Sequence, residues 1–204
     1  MSSIDNLYKL KNREAKIIGN KRDCSVLLPL IRVDNEWNIL FQVRSKRLNF
    51  QPGDISLPGG KRDGNETNLE TAIRETEEEL NISRDNIEIL GGIDYMVMPY
   101  NITIYGYVGI IRDIRVEDIN YSKDEVDHIF TVPLEFFLKN APRKYSLKLD
   151  MIFDVNFPHD EIENGEKYKW KKREEVVPFY KYKNYTIWGI TATFVDNFIS
   201  ILNN

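Results

Sequence analysis

The segment LPGGKRDGNETNLETAIRETEEELNI, residues 57–82, constrains the fold more strongly than any other stretch of the chain. Two adjacent glycines are followed by good helix formers, and seven acidic side chains come after the glycines. Like charges one helical turn apart repel each other and destabilise a helix. The segment therefore predicts a tight turn and then a helix whose acidic side chains have a partner that offsets their repulsion.

The limits of this helix can be predicted from its ends. Thr67 or Asn68 can cap its first turn, and the pattern continues to about Leu80. Asn81 can end the helix in a left-handed conformation. At about 100° per residue one side of the helix is apolar. That side consists of Leu69, Ala72, Ile73, Thr76 and Leu80.

Three glutamates of the helix have the spacing of a metal site. Glu75, Glu78 and Glu79 stand at positions i, i+3 and i+4, so their carboxylates converge on one face. Convergent carboxylates suit the hard cations Mg2+ or Mn2+, which would offset the repulsion. The alternative is a solvated acidic face, and periodicity alone favours that alternative.

Composition excludes several other classes of protein. The 204 residues are 42% hydrophobic and carry a net charge of −4, which argues against a disordered chain and a general nucleic-acid binder. Cys24 is the single cysteine, so no disulfide can form within the chain. No stretch resembles a signal peptide or has the length of a membrane span. We therefore expect a cytoplasmic protein with no membrane partner.

The remaining patterns predict an α+β fold, with helices against a mixed sheet and one domain over residues 1–204. Alternating apolar residues indicate strands, and the spacing of apolar residues near both ends indicates helices. Residues 44–58 are predicted to be a loop, and 160–175 an exposed charged segment. The predicted strands are 24–31, 37–44, 88–98, 102–112, 128–134, 148–157 and 185–190, and the further helices are 4–17, 135–140 and 191–202.

The spacing of polar residues in the opening segment matches a known family. Gly60, Glu66, the pair Arg74-Glu75, the pair Glu78-Glu79 and Ile82 stand at fixed intervals over 23 positions. This arrangement resembles the Nudix box of the Nudix hydrolases. It departs from the usual pattern at position 81, where asparagine replaces glycine. Asparagine also tolerates a left-handed helix end, so the replacement is a mild one.

The resemblance implies a Nudix fold, an α/β/α sandwich, and a role for each matching residue. Glu75, Glu78 and Glu79 would ligate Mg2+ or Mn2+ together with the carbonyl oxygen of Gly60. Glu66 would pair with Arg74 and hold the loop against the helix. The base that takes a proton from water would be Glu79, with Glu125 as the alternative.

The segment before the box, residues 39–60, resembles the coenzyme A pyrophosphatases within the family. Arg44, Ser45, Gly53 and the run Pro58–Gly60 match that pattern, whereas Asn49 replaces an arginine and Leu57 a phenylalanine. The resemblance implies Arg44 and Ser45 as substrate-binding residues. Nearby Arg47 and Lys61, together with Lys46 and Arg62, are further candidates to attract phosphates, with exposed loop positions as the alternative.

The implied activity is hydrolysis of the pyrophosphate bond of coenzyme A and its derivatives, giving 3′,5′-adenosine bisphosphate and 4′-phosphopantetheine. Two alternatives stay open: another nucleoside diphosphate compound, such as ADP-ribose, a dinucleotide or capped RNA, and a non-catalytic nucleotide-binding module. The expected partner is a small-molecule substrate, with no specific nucleic acid and a possible homodimer. Cys24, His128, Tyr185 and Trp188 are expected to be structural, although an aromatic side chain near the site could stack on adenine.

Overall fold

Groups of strands are separated by single helices in the computed structural model, which describes residues 11, 14 and 22–204. The predicted helix over residues 4–17 lies outside the described residues, apart from positions 11 and 14. The strands are β1 (Arg22–Val33), β2 (Glu36–Arg44), β3 (Ile55–Ser56), β4 (Gly59–Lys61), β5 (Ile87–Met98), β6 (Ile102–Ile111), β7 (Val126–Pro133), β8 (Arg143–Leu149), β9 (Arg173–Tyr182) and β10 (Tyr185–Trp188). The helices are α1 (Asn68–Leu80), α2 (Leu134–Lys139) and α3 (Gly189–Leu202).

The first seven strands form a mixed sheet. β1 is parallel to β6 and antiparallel to β2, and β5 pairs with β6 at one edge. β2 also pairs with β7, again antiparallel. The last three strands form a separate antiparallel sheet in the order β10-β9-β8.

Hydrophobic clusters cover both faces of the mixed sheet because β1 and β2 alternate their side chains. Leu27 of β1 packs in one cluster with Ala72 and Leu80 of α1. Leu28 of β1 packs in the other cluster, on the opposite face. That second cluster includes residues of α2 and α3, such as Phe137, Phe194, Val195 and Phe198. The predicted α+β sandwich with a mixed sheet between helices is confirmed.

β1 and β2 form a hairpin at one end and separate at the other. Leu30–Val33 pair with Glu36–Ile39, whereas the start of β1 pairs with β4 and the end of β2 pairs with β3. The segment from β3 to β4 therefore inserts between the two strands. The Leu27 amide donates to the Pro58 carbonyl at 2.9 Å within this insertion. The predicted loop over residues 44–58 thus contains a short strand that sequence periodicity did not indicate.

Helix α1 agrees with its predicted limits. Thr67 caps it: the Thr67 hydroxyl accepts from the Glu70 amide and the Glu70 carboxylate accepts from the Thr67 amide, which completes a capping box. Asn81 ends the helix with φ 52° and ψ 36°, and its amide donates to the Glu77 carbonyl. The helix limits follow from local hydrogen bonds, which explains why the sequence predicts them.

The predicted strand over residues 148–157 is wrong beyond Leu149, where β8 ends. Its alternation reflects a different arrangement, in which Phe153 and Phe157 pack on Trp170 at centroid distances of 5.2 and 6.0 Å. Val155 between them is 95% exposed. The apolar spacing therefore marks a small aromatic cluster and not a pleated strand.

Strand β9 was not predicted, because its first residues are charged and Pro178 interrupts it. β9 is a strand because it pairs with β8 on one side and β10 on the other, and its local sequence does not indicate these partners. Helix α3 begins at Gly189, two residues before the predicted start. No helix among the described residues combines the length and the apolar character needed to cross a membrane.

We predict that Gly59→Ala destabilises the fold by about 2 kcal/mol or more. A Cβ atom at Gly59 would lie 2.3 Å from the Ser25 carbonyl oxygen and 2.7 Å from the Val26 Cα, and neither backbone atom can move away. Gly92→Ala in β5 is the matched control, because its nearest neighbour would be at 3.7 Å. Urea unfolding of both variants measures the difference, and equal stabilities would contradict the close packing of β4 on β1.

Candidate active site

Arg74 links four groups at the base of the acidic helix. Its Nε and Nη2 atoms donate to the two carboxylate oxygens of Glu66 at 3.1 and 2.9 Å. Its Nη1 donates to Glu78 at 2.8 Å, and its Nη2 lies 3.0 Å from Glu75. Nη2 also donates to the Lys61 carbonyl at 3.1 Å. Arg74 therefore offsets part of the repulsion on α1 and ties the helix to β4.

The Glu66 carboxylate has more hydrogen-bond partners than a simple ion pair with Arg74 would give it. It accepts from the Asp63 amide at 2.7 Å and from the Thr71 hydroxyl at 3.0 Å, in addition to Arg74. The Arg74 guanidinium, followed by the Asp63 amide, lowers the pKa of Glu66 to about 2. The Glu66–Arg74 pair thus holds the loop after β4 against the start of α1.

Glu79 points into the protein from the same helix and is 4% exposed. Its carboxylate accepts from the Gly59 amide at 2.9 Å. Burial raises the pKa of Glu79 to about 7, and the negative charges of Glu75 and Glu125 add to the rise. The Gly59 amide and the Gln42 side chain oppose it. Glu79 is therefore a buried carboxyl in a negatively charged environment.

Glu75 lies beside it and against the glycine turn. A Cβ atom at Gly60 would lie 2.4 Å from the Glu75 carboxylate, so this position accepts only glycine without a rearrangement. Burial raises the pKa of Glu75, Arg74 opposes that rise, and Glu78 and Glu125 add to it. The two glycines of the turn therefore contact one buried carboxyl, Glu79, and one half-buried carboxyl, Glu75.

These residues fit a divalent cation by the chemistry of their donors. Glu75, Glu79 and the Gly60 backbone offer hard oxygen atoms, and Glu78 stands at the exposed side of the same face, with its side chain 55% exposed. In their present positions no three Asp, Glu, His or Cys side chains of the described residues are arranged around a common point. Arg74 occupies the space between Glu75 and Glu78, so binding of a cation requires a small rotation of these side chains.

Glu125, the alternative base, lies on an exposed turn next to the helix end. The Ser122 amide donates to the Glu79 carbonyl at 2.8 Å, and the Glu125 carbonyl accepts from the Ser45 amide at 2.8 Å. Its charge raises the pKa of both Glu75 and Glu79. The structure therefore brings Glu125 near the acidic face, and the choice between Glu79 and Glu125 stays open.

The four predicted substrate-binding residues have different surroundings. Ser45 is buried, and its hydroxyl accepts from the Arg47 amide at 3.3 Å, which suits a structural role in the turn. Arg47 forms an exposed pair with Asp124 at 3.1 Å. The Lys61 side chain is exposed on β4. Of the four residues, only Arg44 lines the cleft described next.

That cleft has a volume of about 290 Å³ and lies between the β3–β4 segment and the start of α3. Arg44 and Gly59 line it on one side, and Trp188 and Ile190 on the other. The Gly59 amide also donates to Glu79, so one residue of the cleft lining contacts α1, although no residue of α1 itself lines the cleft.

A sequence model of the NUDIX domain matches residues 21–178 of this chain. The chain belongs to the Nudix family. Nudix hydrolase 3 of Caenorhabditis elegans is 30% identical over 184 residues, which cover 88% of this chain and 72% of the relative. The Nudix domain identified by the sequence is therefore confirmed.

Two further comparisons concern substrate and fold. The protein named peroxisomal coenzyme A diphosphatase NUDT7 of Mus musculus is 34% identical over 119 residues, or 56% of this chain and 48% of that relative. This Nudix chain therefore matches only about half the length of that relative. A MutT/nudix family protein from Enterococcus faecalis has a similar fold, with a TM-score of 0.53 at 13% identity over 100% of this chain and 71% of the other.

Membership of the family has two direct consequences. Nudix enzymes act on small-molecule nucleotide substrates, and they generally use divalent ions such as Mg2+ or Mn2+. The acidic face of α1 in this Nudix domain has the donors for such ions, as described above.

Sequence reasoning missed Gln42, which lies beside Glu79 in this Nudix domain. Gln42 is 1% exposed on β2, and its amide nitrogen donates to the Ser56 hydroxyl at 3.3 Å. Its side chain lowers the pKa of Glu79, opposite to the effect of burial. A glutamine within the apolar run of β2 was the available signal, because a buried amide needs hydrogen-bond partners.

We predict that the metal-free Nudix domain loses stability as the pH rises from about 5 to about 7.5. The folded state keeps the Glu79 proton up to about pH 7, whereas an unfolded chain releases it near 4.5. The free energy of unfolding should therefore fall by on the order of 2 kcal/mol as the pH rises through this window.

Urea unfolding in EDTA at both pH values measures the effect. Glu79→Gln removes the titrating group, so its pH dependence should be shallower and its stability at the higher pH greater than that of the wild type. Identical pH profiles for the two proteins would contradict the raised pKa of Glu79.

Proposed function

We propose that this protein hydrolyses the pyrophosphate bond of coenzyme A and its derivatives, and that residues 1–204 act as one Nudix domain. One observation supports the proposal most directly. Arg44, from the segment that resembles the coenzyme A pyrophosphatases, lines the same cleft as Gly59, which binds Glu79. The candidate phosphate-binding side chain and the acidic helix are therefore linked through one residue of the cleft lining, Gly59.

In this proposal the Gly60 carbonyl, Glu75, Glu78 and Glu79 hold Mg2+ or Mn2+. The bound ions would supply positive charge to the pyrophosphate oxygens and lower the pKa of a bound water. Glu79 also accepts a proton from the attacking water in this proposal, as the resemblance to the Nudix box implies. Glu125 is the second candidate for that base, because its charge acts on the same carboxyls.

Arg74 and Glu66 act by positioning in this mechanism. Their bonds hold β4 and the loop after it against α1, so the Gly60 backbone stays beside the helical turn that carries Glu75. Displacements of about 1 Å at a catalytic site can lower a rate roughly a hundredfold. A rigid connection between β4 and α1 is therefore a requirement of the reaction.

The negative net charge makes local cations necessary for an anionic substrate. Arg44 provides such a charge at the cleft, and the Gly53 amide donates to its carbonyl at 3.0 Å, which fixes the turn that carries it. A guanidinium can bind a phosphate with two hydrogen bonds. Arg44 is thus our candidate for contact with a phosphate of coenzyme A, with Arg47 and Lys61 as outer charges.

The two departures from the coenzyme A pattern have unequal weight. Leu57 is 4% exposed and packs in the core on the α2 and α3 face, so this replacement changes packing and not phosphate binding. Asn49 is exposed in the loop and removes one positive charge. This loss favours the second candidate, hydrolysis of another nucleoside diphosphate compound such as ADP-ribose or a dinucleotide. The buried carboxyls of α1 speak against a non-catalytic module, because burying them costs stability.

Three other predictions stay proposals. We propose a cytoplasmic location, although one relative is named peroxisomal. We also propose that the chain binds no specific nucleic acid and no membrane. A homodimer is the third proposal.

Glu79→Gln should lower the turnover number by about 10²- to 10⁴-fold, because the variant cannot accept a proton. Glu77→Gln is the matched control within the same glutamate run. Glu77 accepts from the Arg84 amide at 2.8 Å, and glutamine can preserve that bond. Steady-state rates with coenzyme A and Mn2+ measure both variants. A folded Glu79→Gln protein with wild-type turnover would remove Glu79 from the reaction.

The substrate is tested by competition. We expect coenzyme A to be cleaved in preference to ADP-ribose and to dephospho-coenzyme A, which lacks the 3′-phosphate. Arg44→Ala should reduce the preference about tenfold to a hundredfold, as expected for one lost charge-assisted hydrogen bond. Arg47→Ala, which removes a charge already paired with Asp124, should change it less. If ADP-ribose or a dinucleotide is cleaved faster than coenzyme A, the coenzyme A proposal is wrong and only hydrolysis of a nucleoside diphosphate compound remains.

A further inference from the structure

Trp188 stands where three clefts meet, at the end of β10 and directly before α3. The first cleft is the one that contains Arg44 and Gly59. The second, of about 340 Å³, lies between β5 and β9 and includes Val97. The third, of about 330 Å³, includes His128. The indole is 44% exposed at this junction.

A single exposed aromatic side chain is common on protein surfaces. Trp188 differs because other aromatic rings pack against its indole. The indole stacks on Phe179 with a centroid distance of 5.7 Å and an interplanar angle of 17°. The two residues are also paired in the β9–β10 register. Phe179 in turn contacts Tyr145 edge to face at 5.4 Å. The indole of Trp188 is therefore held by Phe179 on one face, and the rest of it is accessible to solvent.

The other two tryptophans of the chain have different environments. Trp37 is half-buried beneath the Arg32 guanidinium, which lies 4.7 Å from its ring. Trp170 is enclosed by the aromatic cluster of Phe153, Phe157 and Tyr168. Neither lines the cleft that contains Arg44. Trp188 is thus the tryptophan that a ligand in that cleft would touch.

The cleft has two chemically distinct sides. Arg44 and Gly59 line one side, where Arg44 supplies a positive charge and the Gly59 amide donates to Glu79 of α1. The indole of Trp188 lines the other side. Gln51 and Asp54 add polar groups on the side of Arg44, since the Arg44 amide donates to the Asp54 carbonyl at 2.9 Å. A ligand that matches both sides carries a phosphate and a flat ring.

The geometry points to Trp188 as the platform on which the base of a nucleoside diphosphate compound stacks. This inference rests on the proposed function for the phosphates, and it adds the residue that binds the base. Stacking of bases on aromatic side chains strengthens binding by roughly tenfold to a hundredfold. Every base has a flat face, so the platform favours nucleotides over other phosphates without selecting one base.

The chain allows a direct test by fluorescence. In a Trp37→Phe, Trp170→Phe protein, Trp188 is the only emitting tryptophan. We expect 3′,5′-adenosine bisphosphate and ADP, added in EDTA so that no turnover occurs, to quench its emission in a saturable way. Pantetheine and ribose 5-phosphate, which lack a base, should cause no quenching. Quenching by pantetheine alone would assign the indole to the apolar part of the substrate and overturn the inference.

Calorimetry on the otherwise wild-type chain gives an independent measurement if the double variant does not fold. Trp188→Leu should weaken the binding of 3′,5′-adenosine bisphosphate about tenfold or more, and Trp188→Phe should restore most of the affinity. Trp37→Phe is the control and should leave the affinity unchanged. An unchanged dissociation constant in Trp188→Leu would refute the platform.

The test separates this inference from the proposed function because it measures binding without hydrolysis. If coenzyme A is not hydrolysed but adenosine phosphates still quench Trp188, the platform stands and the proposed activity fails. If coenzyme A is hydrolysed and Trp188→Leu binds the base normally, the activity stands and the platform fails.

Discussion

The close contact of the glycine turn with β1 and α1 is the constraint on which the site depends. Gly59 lies against the backbone of Ser25 and Val26, and Gly60 lies against the Glu75 carboxylate. Both contacts leave no space for a Cβ atom. The Gly59 amide donates to Glu79 of α1 at 2.9 Å. The sheet, the turn and the acidic helix are therefore packed together as one unit.

Within this unit the charges are only partly balanced. Arg74 binds Glu66, Glu75 and Glu78, whereas the strongest charge effects on Glu79 come from other carboxylates. Burial without a cation raises the pKa of a carboxyl and costs folding free energy at neutral pH. A bound cation would recover that free energy. The buried carboxyls therefore lower the stability of the metal-free protein, and a bound cation would restore it.

The sequence predicts the parts of the structure that depend on local interactions. Helix α1 was predicted within one residue because Thr67 and Asn81 act on the nearest turn, and the Nudix spacing placed Glu75 and Glu79 on one face. Strand β9 and the role of Gln42 were missed, because the first depends on pairing with distant strands and the second on a neighbour 37 positions away. The local sequence of β9 and of Gln42 carries no signal of these distant partners.

One side of the cleft lies within the part of the chain that matches the Nudix family, and the other side lies beyond it. The family match covers residues 21–178 and includes Arg44, Gly59 and the acidic helix, whereas Trp188 and α3 follow it. The Thr191 hydroxyl joins them by donating to the Ile55 carbonyl at 3.0 Å, and Thr191 is buried. This buried hydrogen bond ties the start of α3 to β3 across the cleft. In the proposed function, changes at the start of α3 would therefore affect substrate binding, while α1 would carry the residues that hold the metal.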